Sequence, residues 1–233
     1  MIICVYALTS PPLARLRLTG VAGERLRVIT ISRIAAVVGE VRRAPAPSVR
    51  NMRRHAAVVE AVAGRVPAIL PARFGTTVVD PEELRFILTS RAATLRRRLR
   101  AVRGRCQMTI RLLAPSESES DDAPFATRST VTGRTGLRVA NGATQGTQYL
   151  RRRMAMEANA RAIPGFEPIR GAVRRFVKDE RVERRAGIVT VNHLIPRASV
   201  PRYAAAIERA AVQQHLRLMV SGPLAPYAFA DNW

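Results

Sequence analysis

The chain is short of most of what a reactive site is built from. Its 233 residues include two cysteines, three histidines and one lysine, and aromatic residues make up 5%. Cys4 and Cys106 stand alone without a CxxC spacing, which excludes a disulfide framework and a local thiolate site and predicts two buried, reduced thiols in a cytoplasmic protein. No two of His55, His193 and His215 lie at i,i+4, so a zinc-binding helix has no local support. The lone lysine, Lys178, precedes Asp179 and cannot close a phosphate loop, and GATQG (residues 142–146) lacks both the spacing and the leading strand of a dinucleotide fingerprint. No run approaches the ~20 apolar residues of a membrane span. The opening MIICVYAL is too short for a secretory leader and has no basic lead-in. The expectation is a protein without catalytic residues, cofactor, metal or small-molecule substrate. A Cys–His couple assembled in space is the one enzymatic route left, but His55 falls on an apolar helical stripe and His193 inside a strand, where both read as core residues.

What is abundant is arginine, 38 residues against 17 acidic ones, for a net charge of +22. One reading is attraction to a polyanion, nucleic acid above all. The other is composition: arginine fills every solvated helix face, in runs such as Arg42–Arg43, Arg53–Arg54, Arg96–Arg98 and Arg184–Arg185. Aromatic residues do not interleave with these runs as a base-stacking platform needs. A nucleic-acid-binding protein is therefore the alternative reading.

Apolar patterning and turn chemistry divide the chain into elements. Residues 2–8 form a compact apolar run, expected to be a strand. Residues 26–31 and 34–41 read as two strands pairing across a short turn at Ser32–Arg33. Ser48 is an N-cap for a helix whose stripe is Met52, His55, Val59 and Val62, closed by Gly64. Residues 66–70 return as a strand. Asp80-Pro81-Glu82-Glu83 opens a helix with a capping side chain, a first-turn proline and two acids at the positive end of the dipole. Its stripe runs through Leu84, Ile87, Leu88, Leu95, Leu99 and Val102 to Gly104, and residues 106–113 alternate as a strand.

PSESESDDAP (residues 115–124) reads as a solvated linker. Beyond it, helices are expected at 147–162 and 168–185, a strand at 187–195, a helix from Ser199 with Tyr203, Ile207, Ala210 and Gln214 on one side, and a last strand at 216–220. Strands mixed with helices in both halves predict an α+β fold in two domains, 1–113 and 146–233, joined by an acidic and glycine-rich loop at 114–145.

Four blocks carry a family resemblance. HAAVVEAVAGRVPAILPARFGTTVVDPEEL (residues 55–84) resembles a block of the gas vesicle protein F/L family in which a histidine-bearing helix leads to a "VLPLRFGTVF" strand and an acid-capped helix. GTQYLRRR (146–153) is similar to its "G..YL..R" helix start, NHLIPR (192–197) to its late strand, and SGPLAPYAF (221–229) to its terminal "GPWPPYSF". The blocks occur in the family's order. Leu224 and Ala225 depart from the family's Trp and Pro.

The resemblance implies an α+β accessory protein with a ferredoxin-like C-terminal domain, located at the gas vesicle and in the cytoplasm. It implies an assisting role in assembly of the shell, or a place in the vesicle as a minor structural component, the partners being the small hydrophobic shell protein and other accessory proteins. A shell subunit that keeps water from a gas space carries an apolar face that aggregates when exposed, and a partner can cover it by adding a strand of its own. The candidate contact residues are Arg73, Phe74, Tyr227 and Phe229, and for the aromatic ones the competing reading is plain core packing.

Overall fold

The computed structural model describes residues 1–11, 16–113, 165–185, 188–213 and 218–230. They form an α+β fold on two antiparallel sheets. The first sheet is built around β1 (Ile2–Thr9), which pairs on one side with β3 (Ile34–Val41) and on the other with two short strands, β4 (Ile69–Pro71) and β5 (Thr77–Val78). Outside β3 lies β2 (Leu26–Ile31). The β2–β3 turn is the expected pair Ser32–Arg33, both at positive φ (50° and 62°), the backbone that two-residue hairpins require.

β1 is apolar from Ile2 to Leu8 because both faces of its sheet are covered. One face packs Cys4, Tyr6 and Ala7 against helix α1 (Val49–Ala63). The other packs Ile3, Val5 and Leu8 against α2 (Pro81–Ser90) and α3 (Ala92–Val102). Ser48 Oγ accepts from Asn51 N at 3.2 Å, and Asp80 Oδ1 accepts from Glu83 N at 2.8 Å, so both expected caps are in place. Three details differ from the sequence pattern. Of the strand expected at 66–70 only Ile69 and Leu70 are strand, as part of β4. Met52 is 46% exposed and Val58 takes its place on the buried stripe of α1. The single helix expected from Pro81 to Val102 is interrupted at Arg91, where Ser90 Oγ donates back to Ile87 O at 3.2 Å, a bond that bends helices.

The second sheet has the order β7-β8-β6-β9, with β6 at Arg105–Leu113, β7 at Asp179–Arg185, β8 at Ile188–Pro196 and β9 at Leu218–Leu224. Gly104, at φ +67°, turns the chain from α3 directly into β6. The expected N-terminal unit, 1–113, includes this strand, yet both its ladder partners, β8 and β9, belong to the second sheet. Helices α4 (Glu167–Val173) and α5 (Val200–Gln213) cover one face, over Met108, Ile110, Val191 and Ile195. The helix expected at 168–185 is a correction: α4 ends at Val173, and the charged run 179–185 is the edge strand β7. An edge strand is half solvated, so it carries charge where a buried strand carries valine. The expected linker at 115–124 and helix at 147–162 lie outside the described residues, as does Gln214.

The opposite face of the second sheet meets the first. Leu194, Phe229 and Ala230 join the cluster that holds Ile3, Val5 and Leu99. Around this seam Arg197 Nη2 donates to Ala63 O at 2.9 Å, Ala225 N to Glu60 Oε1 at 2.9 Å and Arg98 Nη1 to Ala230 O at 3.3 Å.

Candidate functional site

A cleft of about 570 Å³ opens where the two sheets meet, walled by Arg73, Tyr227 and Ala228 on one side and by Glu180, Arg181, Val182 and Glu183 of β7 on the other. Arg73 is presented by a tight turn. Its carbonyl accepts from Thr76 N at 3.1 Å and from Thr76 Oγ1 at 2.8 Å, and Gly75 takes φ +87°, a conformation open to glycine at no steric cost. The Arg73 side chain is exposed and has no hydrogen-bond or ion-pair partner among the described residues.

Tyr227 begins a 3₁₀ turn, Tyr227–Phe229, that is held by two side chains. Ala228 N donates to Gln107 Oε1 at 2.8 Å, Arg181 Nη1 donates to Ala228 O at 2.8 Å, and the Arg181 guanidinium lies 5.3 Å from the Phe229 ring centre. Gln107 is itself fixed by Asn192 Oδ1 (3.0 Å) and Thr109 Oγ1 (3.0 Å) on the same sheet face. Tyr227 is half-buried, and its phenol pKa is raised, by burial first and then by the charge of Glu60.

The four candidate contact residues separate accordingly. Arg73 and Tyr227 come together at the cleft. Phe74 turns inward and meets His55 edge-on at 5.8 Å. Phe229 is 4% exposed and belongs to the core between the sheets. The β7 wall was missed by sequence reasoning, because seven residues with one apolar side chain carry no period-two signal.

Behind β7 a histidine, a tyrosine and a carboxylate converge. His193 Nδ1 lies 2.7 Å from Tyr203 Oη and Nε2 lies 2.8 Å from Glu180 Oε2, while Arg170 holds the same carboxylate at 3.1 and 3.3 Å. The His193 bond, followed by that of Arg170, holds the Glu180 carboxyl below the usual range. His193 and Tyr203 are both wholly buried, and Glu180 alone of the three borders the cleft. This is a strut: it ties α5, β8, β7 and α4 together. Cys4 and Cys106 are buried free thiols, and burial pushes both pKa values up, Cys4 to about 11, the opposite of an activated nucleophile.

The family model described as "Gas vesicle synthesis protein GvpL/GvpF" matches residues 2–231. The chain belongs to that family. A curated relative, gas vesicle protein F of Streptomyces sp. (strain CB03234), is 27% identical over 223 residues, covering 89% of each chain. Crystal structures of gas vesicle protein F share the fold: that from Microcystis aeruginosa at TM-score 0.72 and 15% identity over 99% of both chains. The one from Anabaena sp. PCC7120 has TM-score 0.72 and 16% identity over 99% of this chain and 98% of the other.

Membership in the gas vesicle protein L/F family gives the protein a gas-vesicle-related role, and among the described residues no helix is long and apolar enough to cross a membrane. In this member the NHLIPR block has a structural meaning. Alternation along β8 sends Asn192 to the tail-clamping face and His193 to the helix-covered face, so adjacent residues hold two different parts of the molecule.

Proposed function

We propose that the protein assists assembly of the gas vesicle shell by binding the hydrophobic shell subunit and other vesicle accessory proteins, and that the cleft between Arg73, Tyr227 and β7 is where it does so. One observation carries the proposal: the two family-like blocks ILPARFGTT and SGPLAPYAF, far apart in sequence, place Arg73 and Tyr227 on one wall of an open cleft. The guanidinium is unengaged among the described residues, and a guanidinium takes a carboxylate through its paired donors. The half-buried phenol supplies apolar area with a polar rim, a combination enriched at protein interfaces.

The same reading takes the second sheet and its helices as a ferredoxin-like domain. The element order β6, α4, β7, β8, α5, β9 and the antiparallel strand order β7-β8-β6-β9 support it. Drawn by strand pairing, the boundary of the first domain falls at Gly104.

The test is co-expression with the shell subunit. The intact protein keeps the subunit in the soluble fraction, and Arg73→Glu with Tyr227→Ala reduces that fraction several-fold. Equal precipitation with and without the protein overturns the proposal. Retention of a nucleic-acid probe at physiological salt, lost steeply as salt rises, would favour the polyanion alternative.

A further inference from the structure

β7 is the outermost strand of its sheet among the described residues, and its sequence from Asp179 to Arg185 is D-E-R-V-E-R-R. Successive side chains of a strand point to opposite faces. Four consecutive residues, Glu180 to Glu183, border the cleft, so what borders it is the backbone edge of the strand. An open edge presents unpaired N–H and C=O groups to any strand that fits beside it.

The charges on β7 specify what fits. Turned end for end about Val182, the strand complements itself. Asp179 stands opposite Arg185 of a second copy, Glu180 opposite Arg184, Arg181 opposite Glu183, and Val182 opposite Val182. In sequence each charge meets its opposite, and directly opposed side chains on one face are the pairs that interact across an antiparallel ladder. Glu180 is already held by His193 and Arg170, and Arg181 by Ala228 O, so the new ion pairs are those of the exposed Asp179 and Arg185.

Neighbouring registers are repelled. Centring the pair on Arg181 sets Asp179 against Glu183 and Arg181 against itself. Centring it on Glu183 sets Arg181 against Arg185 and Glu183 against itself. A slip of one residue turns opposed side chains to different faces. The other edge strand, β9, has no charged residue and selects no register.

We infer that two copies of this chain associate through β7, antiparallel about a two-fold axis at Val182, to form one continuous sheet. Glu183 and Arg185 are exposed and available to a second copy, and Asp179 is exposed at the start of the strand. The His193–Glu180–Arg170 strut ties β7 to β8 and α4 from the helix-covered face and leaves its outer edge open among the described residues. The inference goes beyond the assembly role. Because β7 also borders the cleft proposed for the shell subunit, the two occupants compete for that edge, and a test on the protein alone, without shell subunit, separates the failure of one from the failure of the other.

The experiment is sedimentation velocity on the intact protein alone, across a dilution series and at two salt concentrations. The expected result is a monomer–dimer equilibrium that weakens with salt, because exposed pairs are screened. Arg185→Asp and Asp179→Arg each place like charges opposite one another twice per dimer, and each raises the dissociation constant about tenfold. The double replacement restores opposite charges and returns the constant to within about twofold of the original. Circular dichroism on each variant reports the fold. A monomer at every concentration overturns the inference, as does a dimer unmoved by the single replacements or a double replacement no better than either single one.

Discussion

His193 Nε2 lies 2.8 Å from Glu180 Oε2, and through that bond the wholly buried middle of the second sheet holds the strand that borders the cleft. The carboxylate is shared with Arg170, so the edge strand is tied from its own sheet and from α4 at once. The cleft wall is therefore anchored by one partly buried charge as well as by its ladder with β8.

Replacing Glu180 with Gln is expected to destabilise the fold by about 1–3 kcal/mol at neutral pH, since it weakens charge-assisted bonds to His193 and Arg170. Chemical denaturation measures it. The pH dependence has a definite sign. The folded-state pKa of Glu180 is lowered from 4.5, so its contribution is full above that value and is lost as pH falls below it through the folded pKa. The Gln variant lacks this part of the acid slope; equal slopes would remove Glu180 from the account.

His55 gives a second, separable pH effect. It stacks on Tyr6 at 5.2 Å and meets Phe74 edge-on, and its Nε2 has no hydrogen-bond partner among the described residues. Burial lowers its pKa from 6.5. The folded state thus favours neutral imidazole, and stability falls as pH drops below 6.5 because the unfolded chain takes up the proton more readily. His55→Phe retains an aromatic ring without an unpaired nitrogen. Its melting temperature should fall less than the parent's between pH 7.5 and pH 5.

Phe229 and Tyr227 share a turn and should differ in what they report. Phe229→Ala opens a cavity between the two sheets and is expected to cost about 3–5 kcal/mol. Tyr227→Ala, at a half-buried position, should cost less in stability and show its main effect in retention of the shell subunit. A Phe229→Ala variant with unchanged denaturation would contradict its place in the core.

Gly222 sits at φ +134°, and a Cβ there would lie 2.7 Å from Met108 Sδ and 2.8 Å from Gln107 O. Gly222→Ala is expected to destabilise by about 2–4 kcal/mol, combining backbone strain with overpacking against β6. Because Gln107 also holds Ala228, the same variant should loosen the tail, visible as faster amide exchange at Ala228.

Much of the molecule is legible from short stretches of chain. The caps at Ser48 and Asp80, the turn at Ser32–Arg33, the apolar run of β1 and the buried stripes of α2, α3 and α5 all follow from residues a few positions apart. The family was legible too, through four ordered blocks. These features rest on local backbone preference and on a repeating apolar pattern, and both are written along the sequence.

Other features belong to the tertiary structure. The alternating strand after α3 could have closed either half, and only its ladders with β8 and β9 assign it to the second sheet. The run 179–185 has the charge of a solvated helix and becomes a strand because β8 offers it a partner. Arg73 and Tyr227 line one cleft, and Phe229 is buried rather than presented, because the tail is clamped by Gln107 and Arg181 from distant parts of the chain. Contacts of that range have no period and no spacing, so their energies appear only once the sheets have closed on each other.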